Sequence, residues 1–178
     1  MADLRPARAV EIDRVVLRYA GPDDLQQLTD LYNHYVLTTP ITFDLEPVSV
    51  EQRRGWLEQF SETGRHRLLV AVQDGSILGF AGSHEYRDRA AYDSTIETTI
   101  YCHPDATGRG IGSLLYTRLF EAIAAEDIHM AIAGITLPNA ASVAIHERFG
   151  FMPVGVTHAV GRKFGQYWDV GWFEKPLA

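Results

Sequence analysis

Three glycines alternate with larger residues in the run Gly108-Arg109-Gly110-Ile111-Gly112. The run follows a β-branched segment, Thr95–Tyr101, that predicts a strand, and it precedes a helical pattern over Ser113–Glu126. At a helix start the backbone N–H groups are unpaired and the helix dipole is positive, so phosphate groups bind there, and glycine lets the chain approach them closely. The spacing indicates an anion-binding loop, although glycines that only tighten a turn would give the same pattern.

Two common phosphate-binding motifs fit this loop poorly. A P-loop ends in Gly-Lys-Ser/Thr, but the loop contains no lysine. The dinucleotide motif spaces its glycines two and then three apart, which puts Ser113 at the third glycine position, and no simple βαβ unit surrounds it. Neither of these nucleotide-binding classes is therefore favoured for the loop.

Metal and hydrolase chemistry find no support in the sequence. The 7 histidines show no His-Glu-x-x-His spacing, and the chain has no Gly-x-Ser-x-Gly elbow. The single cysteine, Cys102, excludes a cysteine-based zinc cluster and an internal disulfide. We therefore expect no metal site.

The elements that would position the glycine loop form a mixed pattern. Val15–Tyr19 predicts a strand, and Asp74-Gly75 predicts a hairpin turn between the strands Leu68–Val72 and Ile77–Ala81. The other predicted elements are a helix after Gly21-Pro22, an extended segment at Ile41–Leu45, a helix from a Ser49-x-x-Gln52 capping box through Trp56, Leu57 and Phe60 to Gly64, a strand at Met130–Ile135, a helix through Val143, Ile145 and Phe149 to Gly150, and strands at Val154–His158 and Tyr167–Glu174. This order predicts an α/β (α+β) fold, a mixed central sheet with an antiparallel N-terminal hairpin flanked by helices.

Length, composition and charge limit the class of protein. The chain has 178 residues, 46% of them hydrophobic, with no repeat and no linker, so we expect one domain over 1–178 with a compact core at about 14–175. The net charge of -7 disfavours binding to nucleic acid or to an anionic membrane. No apolar stretch is long enough to cross a bilayer, and Met1–Val16 does not resemble a signal peptide. We expect a soluble cytoplasmic protein.

Residues Thr107–Gly112 resemble the acyl-CoA loop of the GNAT acetyltransferases, which is written Gln/Arg-x-x-Gly-x-Gly/Ala. Thr107 departs from the pattern, which weakens a side-chain role there but leaves the backbone cradle intact. The chain is also similar to the phosphinothricin and methionine-sulfoximine N-acetyltransferases over nearly its whole length. The matching blocks are Asn33-His34-Tyr35, Arg89–Asp93, Glu97–Tyr101, Gly112–Thr117, Leu137-Pro138-Asn139 and Trp168–Gly171.

The resemblance implies a GNAT fold and an activity. Acetyl would move from acetyl-CoA, as co-substrate, to the α-amine of a small amino acid or analogue by direct attack, with phosphinothricin, methionine sulfoximine and methionine sulfone as the implied acceptors. It also implies a homodimer. Two alternatives stay open: the same scaffold acting on a protein N-terminus, a polyamine or an aminoglycoside, and a CoA-binding sensor without catalysis.

Two residues carry the implied proton transfers. The resemblance places the candidate general base at Glu97, because an amine is mostly protonated near neutrality and must lose a proton to react. It places at His146 the group that protonates the departing thiolate, a position where most GNAT enzymes carry tyrosine. The alternatives are a glutamate on a solvated strand face and a histidine that serves the core or a helix end.

The remaining implied site residues form two groups. The cofactor group is Thr107, Gly108, Arg109, Gly110, Ile111, Gly112, Ser113 and Asn139; Asn139 would also serve as a helix N-cap after Pro138. The substrate group is Phe43, Arg87, Arg89 and Tyr101, in which the arginines would hold an anionic or polar head. Surface solvation of the arginines and ordinary core packing of Phe43 are the alternatives.

Overall fold

The structure, a computed structural model, describes residues 11–177. Residues 1–10 of the segment Met1–Val16, for which we expect no signal peptide, and residue 178 lie outside the described residues. Within residues 11–177 the strands and helices follow one another as β1 (Val16–Tyr19), α1 (Leu25–Thr38), α2 (Val50–Leu57), β2 (Arg67–Gln73), β3 (Ser76–Glu85), β4 (Thr95–Cys102), α3 (Ile111–Ile123), β5 (Met130–Leu137), α4 (Ala140–Arg148), β6 (Met152–Lys163) and β7 (Gln166–Pro176). Every helix in this range is too short or too polar to span a membrane.

The described strands form one seven-stranded sheet in the order β1-β2-β3-β4-β5-β7-β6. Every neighbouring pair is antiparallel except β4 and β5, which are parallel. These two strands pair only where Thr95–Glu97 meets Met130–Ile132, and beyond that point they diverge. The sheet thus confirms the predicted mixed α/β class with its N-terminal hairpin, and it contains a V-shaped opening between β4 and β5.

Helices cover both faces of the sheet and divide the side chains of β4 between them. On one face α1 and α2 pack against β2 and β3, and on the other α3 packs against the same strands. Because side chains alternate along a strand, Ile96 and Thr98 point toward α3 while Glu97, Thr99 and Tyr101 point toward α1 and α2. Strand β4 therefore presents polar side chains to the helices on both faces of the sheet.

Two predicted helices have wrong boundaries, β3 and β6 extend beyond their predicted ends, and the predicted extended segment forms no strand. Ile41–Leu45 is a loop without strand pairing, because side chains bind it instead: Lys163 Nζ donates to the Thr42 carbonyl at 2.7 Å. Helix α2 ends at Leu57, well before Gly64, because the chain reverses there and the Ser61 N–H binds the His66 carbonyl at 2.9 Å. Helix α3 begins two residues earlier than predicted, directly after Gly110, and ends at Ile123.

Candidate active site

The glycine loop joins β4 to α3 and exposes backbone N–H groups. Gly108 and Gly110 adopt φ values of +71° and +83°, a left-handed conformation that favours glycine, and nothing lies within 4 Å of a Cβ built on either residue. The first hydrogen bond of α3 runs from the Leu114 N–H to the Gly110 carbonyl, at 3.0 Å. The N–H groups of residues 111–113 are therefore not used by the helix and can bind an anion.

A cavity of about 530 Å³ lies beside this loop, between α3, α4 and the end of β4. Seven of the eight predicted cofactor residues line it, namely Thr107, Gly108, Gly110, Ile111, Gly112, Ser113 and Asn139; Arg109 is exposed and does not. A Cβ at Gly112 would come within 2.7 Å of Ile145 Cδ1, so a larger residue would require the end of that side chain to move. Asn139 also caps α4 by accepting the Ser142 N–H at 3.1 Å, so its two predicted roles are compatible.

A smaller cavity of about 60 Å³ occupies the opening between β4 and β5. Its walls include residues 98–101 of β4, residues 134–136 of β5, and His146 from α4. It shares Ile41, Ile100, Tyr101, Asn139 and Ser142 with the large cavity. The opening therefore leads from the glycine loop into the sheet.

A third cavity, of about 330 Å³, lies on the opposite face of β4 under α1 and α2. Its lining residues are Tyr32, Asp44, Val48, Gln52, Arg53, Trp56, Phe80, His84, Thr99 and Tyr101. The Tyr101 ring is packed by Tyr32, Tyr35 and Phe80, with ring centroids 5.6, 5.2 and 5.2 Å away, and it lines all three cavities. The cavities thus meet at Tyr101.

Glu97 lies at the last position of β4 that pairs with β5, directly opposite His84 on β3 and Ile132 on β5. Its carboxyl group is half-buried, and this burial raises its pKa; the nearby charges of His84 and Arg87 act in the opposite sense. It shares a strand face with Thr99, which lines the 330 Å³ cavity. A carboxylate with a raised pKa is suited to accept a proton near neutral pH.

Residues 28–151 match the model of the acetyltransferase (GNAT) family. The chain belongs to this family. It is 57% identical over 165 residues to a phosphinothricin N-acetyltransferase of Streptomyces coelicolor, which covers 92% of this chain and 96% of that one. It is 31% identical over 163 residues to an L-methionine sulfoximine/L-methionine sulfone acetyltransferase of Salmonella typhimurium, with coverages of 92% and 95%. The crystal structure of a phosphinothricin acetyltransferase from Sinorhizobium meliloti in complex with AcCoA matches with a TM-score of 0.87 at 30% identity, over 93% of this chain and 89% of that chain.

This GNAT enzyme is an acetyl-CoA-dependent acetyltransferase related to the enzymes that acetylate phosphinothricin and methionine sulfoximine. Its glycine loop fits the donor, because it offers open space at Gly108 and Gly110 and unpaired N–H groups next to a cavity of suitable size. Among residues 11–177, no three His, Cys, Asp or Glu side chains gather closely enough to hold a metal ion.

His146 of the GNAT enzyme is only 3% exposed, and both of its ring nitrogens are hydrogen-bonded. Nδ1 faces the Ser142 carbonyl at 2.7 Å and therefore carries a hydrogen, while Nε2 lies 2.8 Å from Tyr116 Oη. The rings of Tyr116, Phe151 and Phe173 surround the imidazole. Burial lowers the pKa of His146, so the ring is neutral at pH 7 and accepts a hydrogen bond from the Tyr116 hydroxyl at Nε2.

The buried His146 predicts a specific loss of stability in acid. Because its pKa is lowered in the folded state, the unfolded chain binds the proton first, and stability falls as pH drops below the unfolded pKa of about 6.5. The slope approaches about 1.4 kcal/mol per pH unit. We expect the decrease in Tm between pH 7.5 and 5.5 to be smaller in His146→Gln than in the wild type. The control His129→Gln alters an exposed histidine, and its decrease in Tm should equal that of the wild type. Equal decreases in all three proteins would contradict the burial effect.

Three predicted substrate residues lie outside the wall of the 330 Å³ cavity. Arg87 and Arg89 are exposed in the segment between β3 and β4, where the Arg87 guanidinium carbon lies 5.0 Å from the Tyr86 ring centroid. Arg87 is nevertheless close enough to lower the pKa of Glu97. The Phe43 ring packs against Gly161 of β6 and occupies the position that a Cβ on this residue would take.

Sequence reasoning missed most of the wall of the 330 Å³ cavity, above all Arg53. Its side chain is buried, although α2 also carries the charged residues Glu51 and Arg54, a composition that suggests a solvated helix. The burial of Arg53 could have been predicted from its position three residues before Trp56. At this spacing it lies on the buried face of the helix, together with Trp56 and Leu57.

Proposed function

We propose that this GNAT enzyme transfers acetyl from acetyl-CoA to the α-amine of a small amino acid or analogue, with phosphinothricin, methionine sulfoximine and methionine sulfone as acceptors. One observation supports this most: the 530 Å³ cavity beside the glycine loop and the 330 Å³ cavity under α1 and α2 meet at Tyr101. The 330 Å³ cavity, called the acceptor cavity from here on, has a volume suited to a small molecule and carries both acidic and basic side chains. The names of the related acetyltransferases agree with such acceptors.

The cofactor side of the proposal rests on the glycine loop. Acetyl-CoA supplies an acyl group activated as a thioester. The N–H groups of residues 108–113 would hold its diphosphate, and Asn139 together with the diverging edges of β4 and β5 would line the path of its arm. Arg109, which is exposed beside the loop, is free to meet an outlying phosphate.

Glu97 is proposed as the general base. The acceptor amine is protonated near neutral pH and becomes nucleophilic only when it loses that proton. The raised pKa of Glu97 brings the carboxylate closer to the operating pH, which favours proton transfer directly or through a water molecule. Its position at the apex of the β4–β5 opening, on the strand face that lines the acceptor cavity, supports this role.

His146 is proposed to protonate the departing thiolate, after Nε2 of the neutral ring has taken up a proton from water. Its support is its place in the wall of the 60 Å³ cavity, which joins the cofactor cavity through Ile100 and Tyr101. If the imidazole served the core alone, His146→Gln would lower Tm and leave kcat unchanged. As a proton donor, His146→Gln lowers kcat by about 100-fold. A steady-state kcat beside a Tm for the same variant separates the two roles.

Arg87, Arg89 and Phe43 remain proposed contacts of the acceptor at the outer edge of its cavity. The electrostatic effect of Arg87 on Glu97 supports this placement. A cytoplasmic location and a homodimer also remain proposals. The homodimer is supported by exposed apolar side chains on β6 and the β6–β7 turn, namely Met152, Val154, Val156, Val160 and Phe164, and light scattering on the purified chain would test it.

A thiol-release assay at fixed acetyl-CoA tests the proposed function. We expect kcat/KM for methionine sulfone, methionine sulfoximine and phosphinothricin to exceed that for spermidine, an aminoglycoside and a peptide N-terminus by at least about 100-fold, because the buried cationic side chain of Arg53 in the cavity wall disfavours polycations. Turnover confined to polyamines or peptides would favour another GNAT acceptor. Tight acetyl-CoA binding without turnover on any amine would indicate a sensor.

A further inference from the structure

Arg53 on α2 is a buried cation that has no hydrogen-bonding or ionic partner among the described residues. Its side chain lines the acceptor cavity and the residue is 6% exposed. Its Nε makes no hydrogen bond, and no described carboxylate forms an ion pair with the guanidinium. Buried arginines are ordinarily paired, so an unpaired one in a cavity wall indicates a ligand that pairs with it.

Aromatic rings hold the guanidinium by its faces. The guanidinium carbon lies 3.3 Å from the centroid of the Trp56 ring and 4.5 Å from that of Tyr32. Such stacking covers the faces of the planar group and leaves its N–H donors, which lie in the plane, unused. The side chain is therefore fixed in position while its hydrogen-bonding edge stays available.

The nearest acidic group in the cavity does not take up these donors. Asp44 is exposed, and its carboxylate accepts a hydrogen bond from the Tyr32 hydroxyl at 2.7 Å. Burial lowers the pKa of Arg53 to about 10, so the guanidinium is still charged at pH 7. The fold thus keeps a desolvated positive charge at the edge of an open cavity, which is unfavourable for stability unless an anion enters.

We propose that Arg53 binds the α-carboxylate of the acceptor, an inference that rests on the proposed function. A guanidinium edge matches a carboxylate in a bidentate pair. The reacting amine must lie near Tyr101, where the cavities meet, and Arg53 lines the same cavity as Tyr101. The α-carboxylate is bonded to the same carbon as the amine, whereas the side-chain head extends away from it. The acceptors are therefore free α-amino acids, and peptide N-termini, which lack this carboxylate, are excluded.

Comparison of methionine sulfone with its α-carboxamide tests this assignment. We expect Arg53→Met to raise KM for methionine sulfone by about 10- to 100-fold and to leave KM for the carboxamide nearly unchanged. The matched control is Arg54→Met, because the next side chain along α2 is 47% exposed and pairs with Glu51 at the surface. We expect that control to behave as the wild type with both acceptors.

Structural damage is separated from loss of recognition by two further measurements. Arg53→Met should keep the Tm at or above that of the wild type, since it removes an unpaired buried charge, and should keep the affinity for acetyl-CoA. If it does not fold, Arg53→Lys keeps the charge without the bidentate edge and should raise KM for the acid alone.

Three results would overturn the assignment. Arg53→Met could raise KM equally for the acid and the carboxamide, or raise it only for phosphinothricin, which would assign Arg53 to the anionic head. The third such result is a wild-type enzyme that uses the acid and the carboxamide equally well. In each of these the amino acids are still acetylated. A wild-type enzyme that acetylates none of them would refute the proposed function instead.

Discussion

Replacing Glu97 by glutamine is expected to lower kcat for acetylation of methionine sulfone by about 100- to 10,000-fold, the range that a positioned general base contributes. Glutamine keeps the size of the side chain but cannot accept the proton of the acceptor ammonium. The affinity for acetyl-CoA should stay within about twofold of the wild type, since the glycine loop and Asn139, which are proposed to bind it, lie on other elements. Stopped assays of kcat and calorimetry with acetyl-CoA measure the two quantities.

The pH dependence gives this variant a second readout. The base must be deprotonated, so wild-type kcat/KM rises with pH through the pKa of Glu97, which burial has moved upward from that of an ordinary glutamate. In Glu97→Gln this acidic limb should disappear. Glu85→Gln, at the exposed end of β3, removes a neighbouring carboxylate and should change neither kcat nor the limb. Turnover near the wild-type value in Glu97→Gln would remove the residue from the mechanism.

Substitution of Gly110 by alanine is expected to weaken acetyl-CoA binding by about 100-fold, the equivalent of two lost charge-assisted hydrogen bonds. At φ +83° a Cβ is strained, and relief of that strain rotates the peptide groups that begin α3. The N–H groups of residues 111–113 then no longer converge on one anion. Calorimetric titration with acetyl-CoA measures the effect.

Gly165→Ala is the matched control for this variant. Gly165 lies in the β6–β7 turn at φ +78°, and nothing lies within 4 Å of its added Cβ either. Both variants should lose about 1–2 kcal/mol of stability from the same backbone strain, but only Gly110→Ala should lose affinity. If both bind acetyl-CoA as the wild type does, the loop does not hold the diphosphate.

The sequence predicts best those features that depend on neighbouring residues. Asp74-Gly75 indicates the β2–β3 hairpin because both residues of such a turn adopt positive φ, and the structure has them at 50° and 79°. Alternating glycines before an apolar helical pattern likewise locate the start of α3 within two residues. Ser49 and Gln52 form the predicted capping box. In each case the geometry is determined within a few residues of chain.

Features that depend on distant segments were not predictable in the same way. The acceptor cavity brings α1, α2, β3 and β4 together, and nothing local shows that Arg53 is buried while Arg87 and Arg89 are exposed. The opening between β4 and β5 is equally non-local, because it depends on where a pairing between residues 35 positions apart stops. The resemblance to a family supplies candidate residues for the site, but their burial and contacts require the fold.

A crystal structure of the enzyme with CoA and N-acetyl-methionine sulfone, the products of the proposed reaction, tests the arrangement most directly. We expect the diphosphate within hydrogen-bonding distance of the N–H groups of residues 108–113, and the acetylated nitrogen beside Tyr101, connected to Glu97 directly or through one water molecule. A diphosphate bound away from this loop, or an amino acid seated outside the cavity under α1 and α2, would contradict it.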